Sequence, residues 1–320
     1  MGAYIIRRLL LIIPTLFLAT LIVFATVRAI PGSALELMAS EMQQESGLGR
    51  QLTVEYLKHQ LGMDVPIYIQ YGRWLGRALQ GDLGRSLWTN RIVTNELMKR
   101  IPVSMELGML ALITALLVAL PIGVYSAIRQ DTWGDYTGRT VAILCISLPS
   151  FWLGTMVVVY PSIWWGWSPR VEYVPLVENV GANLFQFMIP GFILGMVMSG
   201  TTMRMTRTMM LEVLRQDYIR TAWSKGLRER VVIFRHALKN ALIPVVTIVG
   251  LQFPVLIGGS VVLEQIFTLP GIGLLLIEAI NKRDYPIISG INLVMASFIL
   301  VINLAVDVFY AYLDPRVQYR

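Results

Sequence analysis

The sequence has few of the residues on which most enzymes and redox proteins depend. Its 320 residues include one cysteine and two histidines, and only 15% of them are charged. The single cysteine, Cys145, excludes an intrachain disulfide framework. The two histidines, His59 and His236, fall on opposite sides of the membrane in the topology derived below, which argues against a shared zinc site.

Motifs for binding nucleotides or attacking substrates are also missing. No glycine is followed by lysine, so the chain has no G-x-x-x-x-G-K-[ST] loop for ATP. Neither H-E-x-x-H nor G-x-S-x-G occurs. We therefore expect this chain not to be an enzyme, and we predict no catalytic residue, no metal ligand and no cofactor in it.

Long apolar runs are what the sequence does contain. Hydrophobic residues make up 55% of the chain, and several runs exceed the roughly 18 residues that indicate a transmembrane helix. Backbone polar groups in lipid must bond internally, which runs of this length achieve as helices. We predict an all-α integral membrane protein with six transmembrane helices, near residues 9–30, 103–128, 139–162, 186–203, 241–263 and 287–312. The first run is too long for a signal peptide and is treated as a retained span.

Lysine and arginine are distributed unevenly among the segments between these runs. With both termini on one side, that side carries fifteen of these cations, and the two short loops opposite carry three. Cytoplasmic segments retain positive charge, so both termini are predicted to be cytoplasmic. The net charge of +7 then follows from membrane topology, and nucleic acid is not an expected partner.

The spans divide the chain into three regions. Residues 1–30 form the cytoplasmic N-terminus and the first transmembrane helix, residues 31–102 a small extracytoplasmic insert, and residues 103–320 a core of five transmembrane helices. Within this core, the cytoplasmic loop 204–240 is far longer than a connection requires and carries nine lysines and arginines. A loop of this kind is expected to hold a partner protein.

The pattern inside this loop predicts two helical segments separated by a glycine. One apolar face is predicted to be formed by Val213, Leu214, Tyr218, Thr221 and Ala222. Gly226 is expected to end that helix, because glycine commonly takes the left-handed conformation there. Residues 227–240 then predict a second segment that leads to the fifth span, with Pro244 at the start of that span.

Two motifs in the loop resemble those of ABC importer membrane subunits. Asp217 to Gly226 matches D-Y-x-R-T-A-x-x-K-G, and Phe234 to Pro244 matches F-R-H-A-L-x-N-A-L-I-P. Both are similar to the EAA loop as it occurs in the B-type permease subunit of the dipeptide/oligopeptide (and nickel) family. Several further stretches agree, namely Gly81-Asp82-Leu83-Gly84, Ser147-Leu148-Pro149-Ser150-Phe151-Trp152, Pro270-Gly271-Ile272-Gly273, Arg283-Asp284-Tyr285-Pro286 and Leu313-Asp314-Pro315-Arg316.

This resemblance implies a type I ABC importer transmembrane-domain fold in the cell membrane, working by alternating access. It implies a second, C-type permease subunit, two cytoplasmic ATPase subunits that bind ATP and Mg²⁺, an extracytoplasmic solute-binding protein, and surrounding membrane lipid. The short helix of the loop would sit in a cleft on the ATPase, with Ala222 and Gly226 permitting close packing there. The implied coupling residues are Asp217, Tyr218, Arg220, Thr221, Ala222, Lys225, Gly226, Leu227, Arg228, Phe234, Arg235 and His236.

Two alternatives to a peptide permease remain open at this point. One is a permease for nickel or another small solute in the same family; no cluster of soft ligands lines a span, which favours peptides. The other is a stand-alone proton-coupled carrier, for which Asp307 is the deepest carboxylate. The sequence identifies no substrate-binding residue.

Overall fold

The structure is a computed structural model that describes residues 2–29, 64–169 and 172–313. The described residues are organised almost entirely as helices. In chain order these are α1 Gly2–Ala29, α2 Ile67–Leu79, α3 Val93–Ile128, α4 Trp133–Ser147, α5 Ser150–Trp165, α6 Val180–Leu214, α7 Asp217–Ser224, α8 Glu229–Leu251, α9 Phe253–Ile266, α10 Ile272–Lys282 and α11 Tyr285–Leu313. Extended pairing among the described residues is limited to one isolated bridge between Arg85 and Ile92. The predicted all-α class is confirmed.

Five of these helices are long and apolar enough to cross a membrane by themselves. They lie in α1, α3, α6, α8 and α11. A sixth crossing is obtained when α4 and α5 are counted together, which agrees with the predicted number of spans. The helix α6 has 35 residues and extends 11 residues beyond the predicted end of its span, so it carries the chain well past the membrane to α7.

The third span was predicted as one helix, and this is wrong. The chain turns by 89° between α4 and α5. Leu148 is extended, with φ −86° and ψ 120°, and Pro149 follows it. Proline disfavours helical geometry in the residue before it and has no N–H to donate, so the helix breaks at this point.

The fifth span also differs from its prediction. The helix α8 begins at Glu229 and ends at Leu251, and a new helix, α9, starts after Gln252. The break precedes Pro254 in the first turn of α9, where the missing N–H costs no hydrogen bond. Pro244, predicted to start the span, lies inside α8. Its missing N–H leaves the carbonyl of Asn240 without its usual helical donor.

The chain divides into two compact units. The larger unit comprises residues 1–5, 102–274 and 301–320, and its core is formed where α3, α6 and α9 meet. Leu107, Phe187 and Leu263 are fully buried there. A Cβ placed on Gly195 of α6 would stand only 2.6 Å from the carbonyl oxygen of Ala111 on α3. The absent side chain therefore allows the two helices to approach closely, as small residues do in membrane bundles.

A buried carboxylate joins three parts of this larger unit. Glu264 accepts hydrogen bonds from the backbone N–H groups of Gly273 and Leu274 at 2.7 and 3.1 Å. Ser104 of α3 donates a further hydrogen bond of 2.7 Å to the same carboxylate. A carboxylate at a helix N-terminus satisfies orphan N–H groups and complements the helix dipole. Glu264 thereby fixes the start of α10 against α3 and α9.

The smaller unit comprises residues 6–101 and 275–300. Two distant segments meet in it, because Ser86 donates a 2.5 Å hydrogen bond to Asp284. The same carboxylate accepts the backbone N–H of Leu87 at 3.2 Å, and Trp88 Nε1 donates to the carbonyl of Lys282 at 2.7 Å. These bonds tie the segment before α3 to the segment before α11. Most of the predicted insert, residues 31–63, lies outside the described residues.

Candidate coupling site

The predicted coupling site begins where α6 ends. Leu214 is the last residue of α6, and Gln216 is extended, with φ −73° and ψ 148°, before α7 starts at Asp217. The predicted apolar face from Val213 to Ala222 on a single helix is therefore wrong. The chain changes direction at residues 215–216, so Val213 belongs to α6 and Ala222 to α7.

The predicted end of the short helix is confirmed. The N–H of Lys225 donates to the carbonyl of Thr221 at 3.1 Å, and the N–H of Gly226 donates to that of Trp223 at 2.9 Å. Gly226 has a φ of +70°, which glycine adopts without the penalty that a side chain imposes. A Cβ there would meet no atom within 4 Å. Backbone conformation, and not crowding within this chain, is what requires glycine at this position.

One face of α7 packs inside the chain. Ile219 is fully buried and Ala222 is 6% exposed. They share a cluster with Val124, Ala127, Met210, Val232, Ile233, Ala237 and Ala241, which come from α3, α6 and α8. The small side chain of Ala222, which the resemblance assigns to a contact with the ATPase, thus packs against its own subunit. A partner would meet the opposite face of α7.

The exposed surface around α7 is aromatic and cationic. Tyr218, Trp223 and Phe234 expose 43%, 46% and 60% of their surface. Between residues 217 and 240, six cations and two carboxylates are exposed. The exposed cations are Arg220, Lys225, Arg228, Arg230, Arg235 and Lys239. Arg220 contacts Asp217 at 3.4 Å, but both side chains are open to solvent, so the pair contributes little to stability.

The first turns of α8 are wound as a π-helix from Val232 to Ala237. This feature has no signal in the sequence, and π-helical turns occur frequently at functional sites. The wide turn buries Val232 and Ile233 while Phe234 points outward. Phe234, one of the coupling residues that the resemblance implies, is therefore exposed, and the buried contact between α7 and α8 is made by Val232 and Ile233.

The remaining predicted residues lie around this core. Thr221 is exposed on α7, and its hydroxyl donates to the carbonyl of Asp217 at 3.0 Å. Leu227 is partly buried and packs against the cluster, and His236 is half-buried. Arg228 and Arg235 are exposed. The structure therefore brings all twelve predicted residues into one region formed by α7, its glycine turn and the start of α8.

Sequence reasoning missed a group of charged residues in the same unit. Asp135 of α4 is fully buried and accepts bonds of 2.7 and 2.8 Å from Nε and Nη2 of Arg207 on α6. Arg139 and the hydroxyl of Ser126 on α3 donate to the same carboxylate. The backbone N–H of Asp131 completes the set at 3.0 Å. The spacing of Asp135 and Arg139 indicates a helical pair, but nothing in the sequence indicates Arg207.

This charged group lies next to the buried cluster of the coupling site. Ser126 precedes Ala127 of that cluster, and Arg207 lies one turn before Met210 on α6. A bidentate pair fixes both the distance between the guanidinium and the carboxylate and their relative orientation. The C-terminal part of α6 is therefore held against α3 and α4 just before the chain reaches α7.

The chain matches a known family over more than half of its length. Residues 119–319 match the family described as "Binding-protein-dependent transport system inner membrane component". The matched part includes α7, the Gly226 turn and α8, together with both helices that Asp135 and Arg207 connect.

Several curated relatives align with the chain from end to end. The dipeptide transport system permease protein DppB of Alkalihalophilus pseudofirmus is 39% identical over 339 residues, and the alignment covers all of both chains. The oligopeptide transport system permease protein AppB of Bacillus subtilis is 40% identical over 323 residues, again over both full lengths. The glutathione transport system permease protein GsiC of Escherichia coli O6:H1 is 36% identical, with 99% of each chain covered.

A solved structure shows the same fold at low identity. It is the crystal structure of an amino acid ABC transporter with histidines, with a TM-score of 0.50 and 14% identity. The match covers 70% of this chain and 95% of the other. From the family match and the full-length relatives together, this chain belongs to the binding-protein-dependent transport system inner membrane components, the membrane permease subunits of ABC transport systems.

Proposed function

We propose that this chain is the B-type permease subunit of an ATP-driven importer of short peptides. The observation that carries this proposal is the end-to-end similarity, at 36–40% identity, to permease proteins named for dipeptide, oligopeptide and glutathione transport. The peptide class is common to all three names. The chain supplies half of the membrane pathway, and substrate moves inward as that pathway alternates between two states.

The energy comes from partner subunits that contact α7. Two cytoplasmic ATPase subunits bind ATP and Mg²⁺, and the outward face of α7 enters a cleft on one of them. Tyr218 and Trp223 supply apolar contact area, and the surrounding cations favour an acidic rim on the ATPase. A second, C-type permease subunit and an extracytoplasmic solute-binding protein complete the importer. Both termini are cytoplasmic, so α7 lies on the ATPase side.

The packing of α7 explains how closure of the ATPase would reach the membrane. Ile219 and Ala222 rest on Met210 of α6 and on Val232 and Ala237 of α8. Close-packed side chains transmit displacement because they have few voids to absorb it. A movement of α7 therefore displaces the ends of two helices that continue into the membrane.

Co-purification and reconstitution test this proposal together. The protein is purified in mild detergent from its own membranes, and the proteins recovered with it are identified by mass spectrometry. We expect a second permease, two P-loop ATPases and a binding protein. Proteoliposomes of that complex should import a labelled dipeptide only with internal ATP.

The alternatives predict different outcomes in the same assay. Import of ⁶³Ni²⁺ without dipeptide import would assign the chain to a metal permease of the same family. Transport by this chain alone, driven by a proton gradient and lost in Asp307→Asn, would overturn the proposal in favour of a stand-alone carrier.

A further inference from the structure

The short helix α2 has a contact that transport does not explain. None of its residues is buried, yet one face contacts the first membrane span. Tyr71 Oη lies 2.9 Å from Thr20 Oγ1, and the Tyr71 ring stands edge-on to Phe24 at 5.2 Å between centroids. Trp74 lies against Phe24 at 5.8 Å. Aromatic pairs at these distances stabilise the contact beyond their buried area.

These contacts place Tyr71 beside the apolar part of the first span. The apolar part of the first span is Leu10–Val27, so Thr20 lies well within it. Seven residues separate Thr20 from Val27, which corresponds to about 10 Å along the helix axis. Amphipathic helices at a membrane surface bury their apolar face about 5–10 Å into the boundary between headgroups and acyl chains. The level of Tyr71 matches that zone, in the half of the membrane farther from the N-terminus.

The two flanks of α2 beside this contact differ in character. At 100° per residue, Tyr68, Leu75 and Leu79 share one flank, and Arg73 and Arg77 share the other. Tyr68 and Leu79 expose 74% and 77% of their surface. An exposed apolar flank at this depth suits acyl chains.

The cationic flank forms no ion pair in the described part of the chain. Arg73 and Arg77 are exposed, and no ion pair joins either of them to another described residue. The helix contains no aspartate or glutamate. Guanidinium groups four residues apart on a helix point the same way and bind phosphate oxygens readily.

We propose that α2 is an interfacial helix that binds anionic phospholipid headgroups through Arg73 and Arg77 while Tyr68 and Leu79 enter the acyl region. The level of the helix, its apolar flank and its cationic flank each suit binding to an anionic phospholipid. The proposal needs only that α1 crosses the membrane, so it stands or falls independently of coupling and substrate. The role of α2 would be to hold this part of the extracytoplasmic insert at the membrane surface.

Spin labelling tests the orientation of the helix. The full chain carries one native cysteine, Cys145, so Cys145→Ser gives a background for single labels at Tyr68→Cys, Leu79→Cys and Arg77→Cys. Each protein is placed in nanodiscs with phosphatidylglycerol, and collision rates with oxygen and with a water-soluble nickel chelate are compared. We expect labels at 68 and 79 to favour oxygen and the label at 77 to favour the chelate.

A label at Glu178→Cys, in an exposed loop, supplies the aqueous reference. Chelate access at 68 and 79 equal to that reference would show α2 standing in water and overturn the proposal. Protection of these labels only after addition of the binding protein or the second permease would also overturn it, because a protein would then cover the helix.

Lipid association tests the headgroup contact. The preference of the protein for spin-labelled phosphatidylglycerol over phosphatidylcholine is measured for Arg73→Gln/Arg77→Gln. We expect this preference to fall about twofold or more, since two cations leave the anionic surface. Arg91→Gln is the control, because Arg91 is exposed in the same unit but contacts Glu96 at 3.4 Å. An unchanged preference in the double variant contradicts the proposed site.

Discussion

Asn240 Nδ2 donates a hydrogen bond of 2.8 Å to Tyr218 Oη and so joins the short helix α7 directly to α8. The same amide lies 3.3 Å from the carbonyl of His236, which holds its side chain along α8. Pro244 has no N–H to donate to the carbonyl of Asn240. The Asn240 carbonyl therefore lacks its usual helical hydrogen bond, and the Asn240 side chain makes the one hydrogen bond between side chains of α7 and α8 among the described residues. Movement of α7 can therefore reach α8 without passing through the exposed Phe234.

If α7 couples the permease to its ATPase as proposed, removing the Tyr218 hydroxyl should lower transport without unfolding the spans. Tyr218→Phe keeps the ring but loses the acceptor, and a part-exposed hydrogen bond contributes about 0.5–1.5 kcal/mol. We expect fewer peptides imported per ATP hydrolysed by the reconstituted complex, with the unfolding temperature of the membrane subunit lowered by no more than about 2–4 °C. Thr208→Val is the matched control, because the Thr208 hydroxyl is exposed and donates to the carbonyl of Arg204 within α6. Equal losses in both variants would contradict a specific role for the Tyr218–Asn240 bond.

The backbone of Gly226 gives a second prediction. A β-branched residue at φ +70° is strained, whereas asparagine tolerates the left-handed region, and there is open space for either side chain. We expect Gly226→Val to lose most ATP-dependent uptake and Gly226→Asn to keep much of it. Both are measured in proteoliposomes at matched amounts of bound ATPase. Loss of uptake in both variants would show that the absence of a side chain, and not the conformation, is what matters.

The direction in which α7 faces can be tested at adjacent positions. Ala222 packs against the chain and Thr221 is exposed. Ala222→Leu should overpack the buried cluster at a cost of about 1–3 kcal/mol and lower the unfolding temperature of the isolated permease. Thr221→Leu should leave that temperature unchanged and alter only ATPase binding. The reverse pattern would mean that Ala222, and not Thr221, faces the partner.

The ion pair between Asp135 and Arg207 should be essential for the stability of the C-terminal part of α6. Asp135→Asn removes the charge that neutralises a guanidinium of which 18% of the side-chain surface is exposed. Loss of one partner from a buried pair destabilises by about 3 kcal/mol or more. We expect a clear fall in the thermal unfolding temperature in detergent. Asp131→Asn is the control, because that carboxylate is 63% exposed and should change stability little.

Sequence patterns were informative where local chemistry decides the outcome. Gly226 was predicted to end a helix because few residues other than glycine adopt a positive φ readily, and the structure places it at +70°. The bend at Leu148 and Pro149 carried the same kind of local signal but was missed, because the apolar run continues across it. Hydrophobicity reports that a segment belongs in lipid, and it does not report whether that segment is straight.

The residues that hold the coupling site together were harder to foresee. Tyr218 was predicted on the apolar face and Ile219 was not, yet the turn at Gln216 leaves Ile219 buried and Tyr218 exposed. The partners of Asp135 include Arg207, which is 72 residues away in the chain and whose charge is also explained by the positive-inside rule. A cation in a cytoplasmic loop gives no sign of whether it faces water or a buried carboxylate.

By itself, the sequence determined the class of the protein, the approximate positions of the spans, the position of the coupling loop and the family it resembles. Each of these depends on composition or on short motifs, whose physical preferences act within a few residues. The tertiary structure alone decided the burial of Ile219 and Ala222, the Tyr218–Asn240 bond, the Asp135–Arg207 pair and the contact of Tyr71 with Thr20. These depend on which helix covers which face, and that choice is made by packing between segments far apart in the chain.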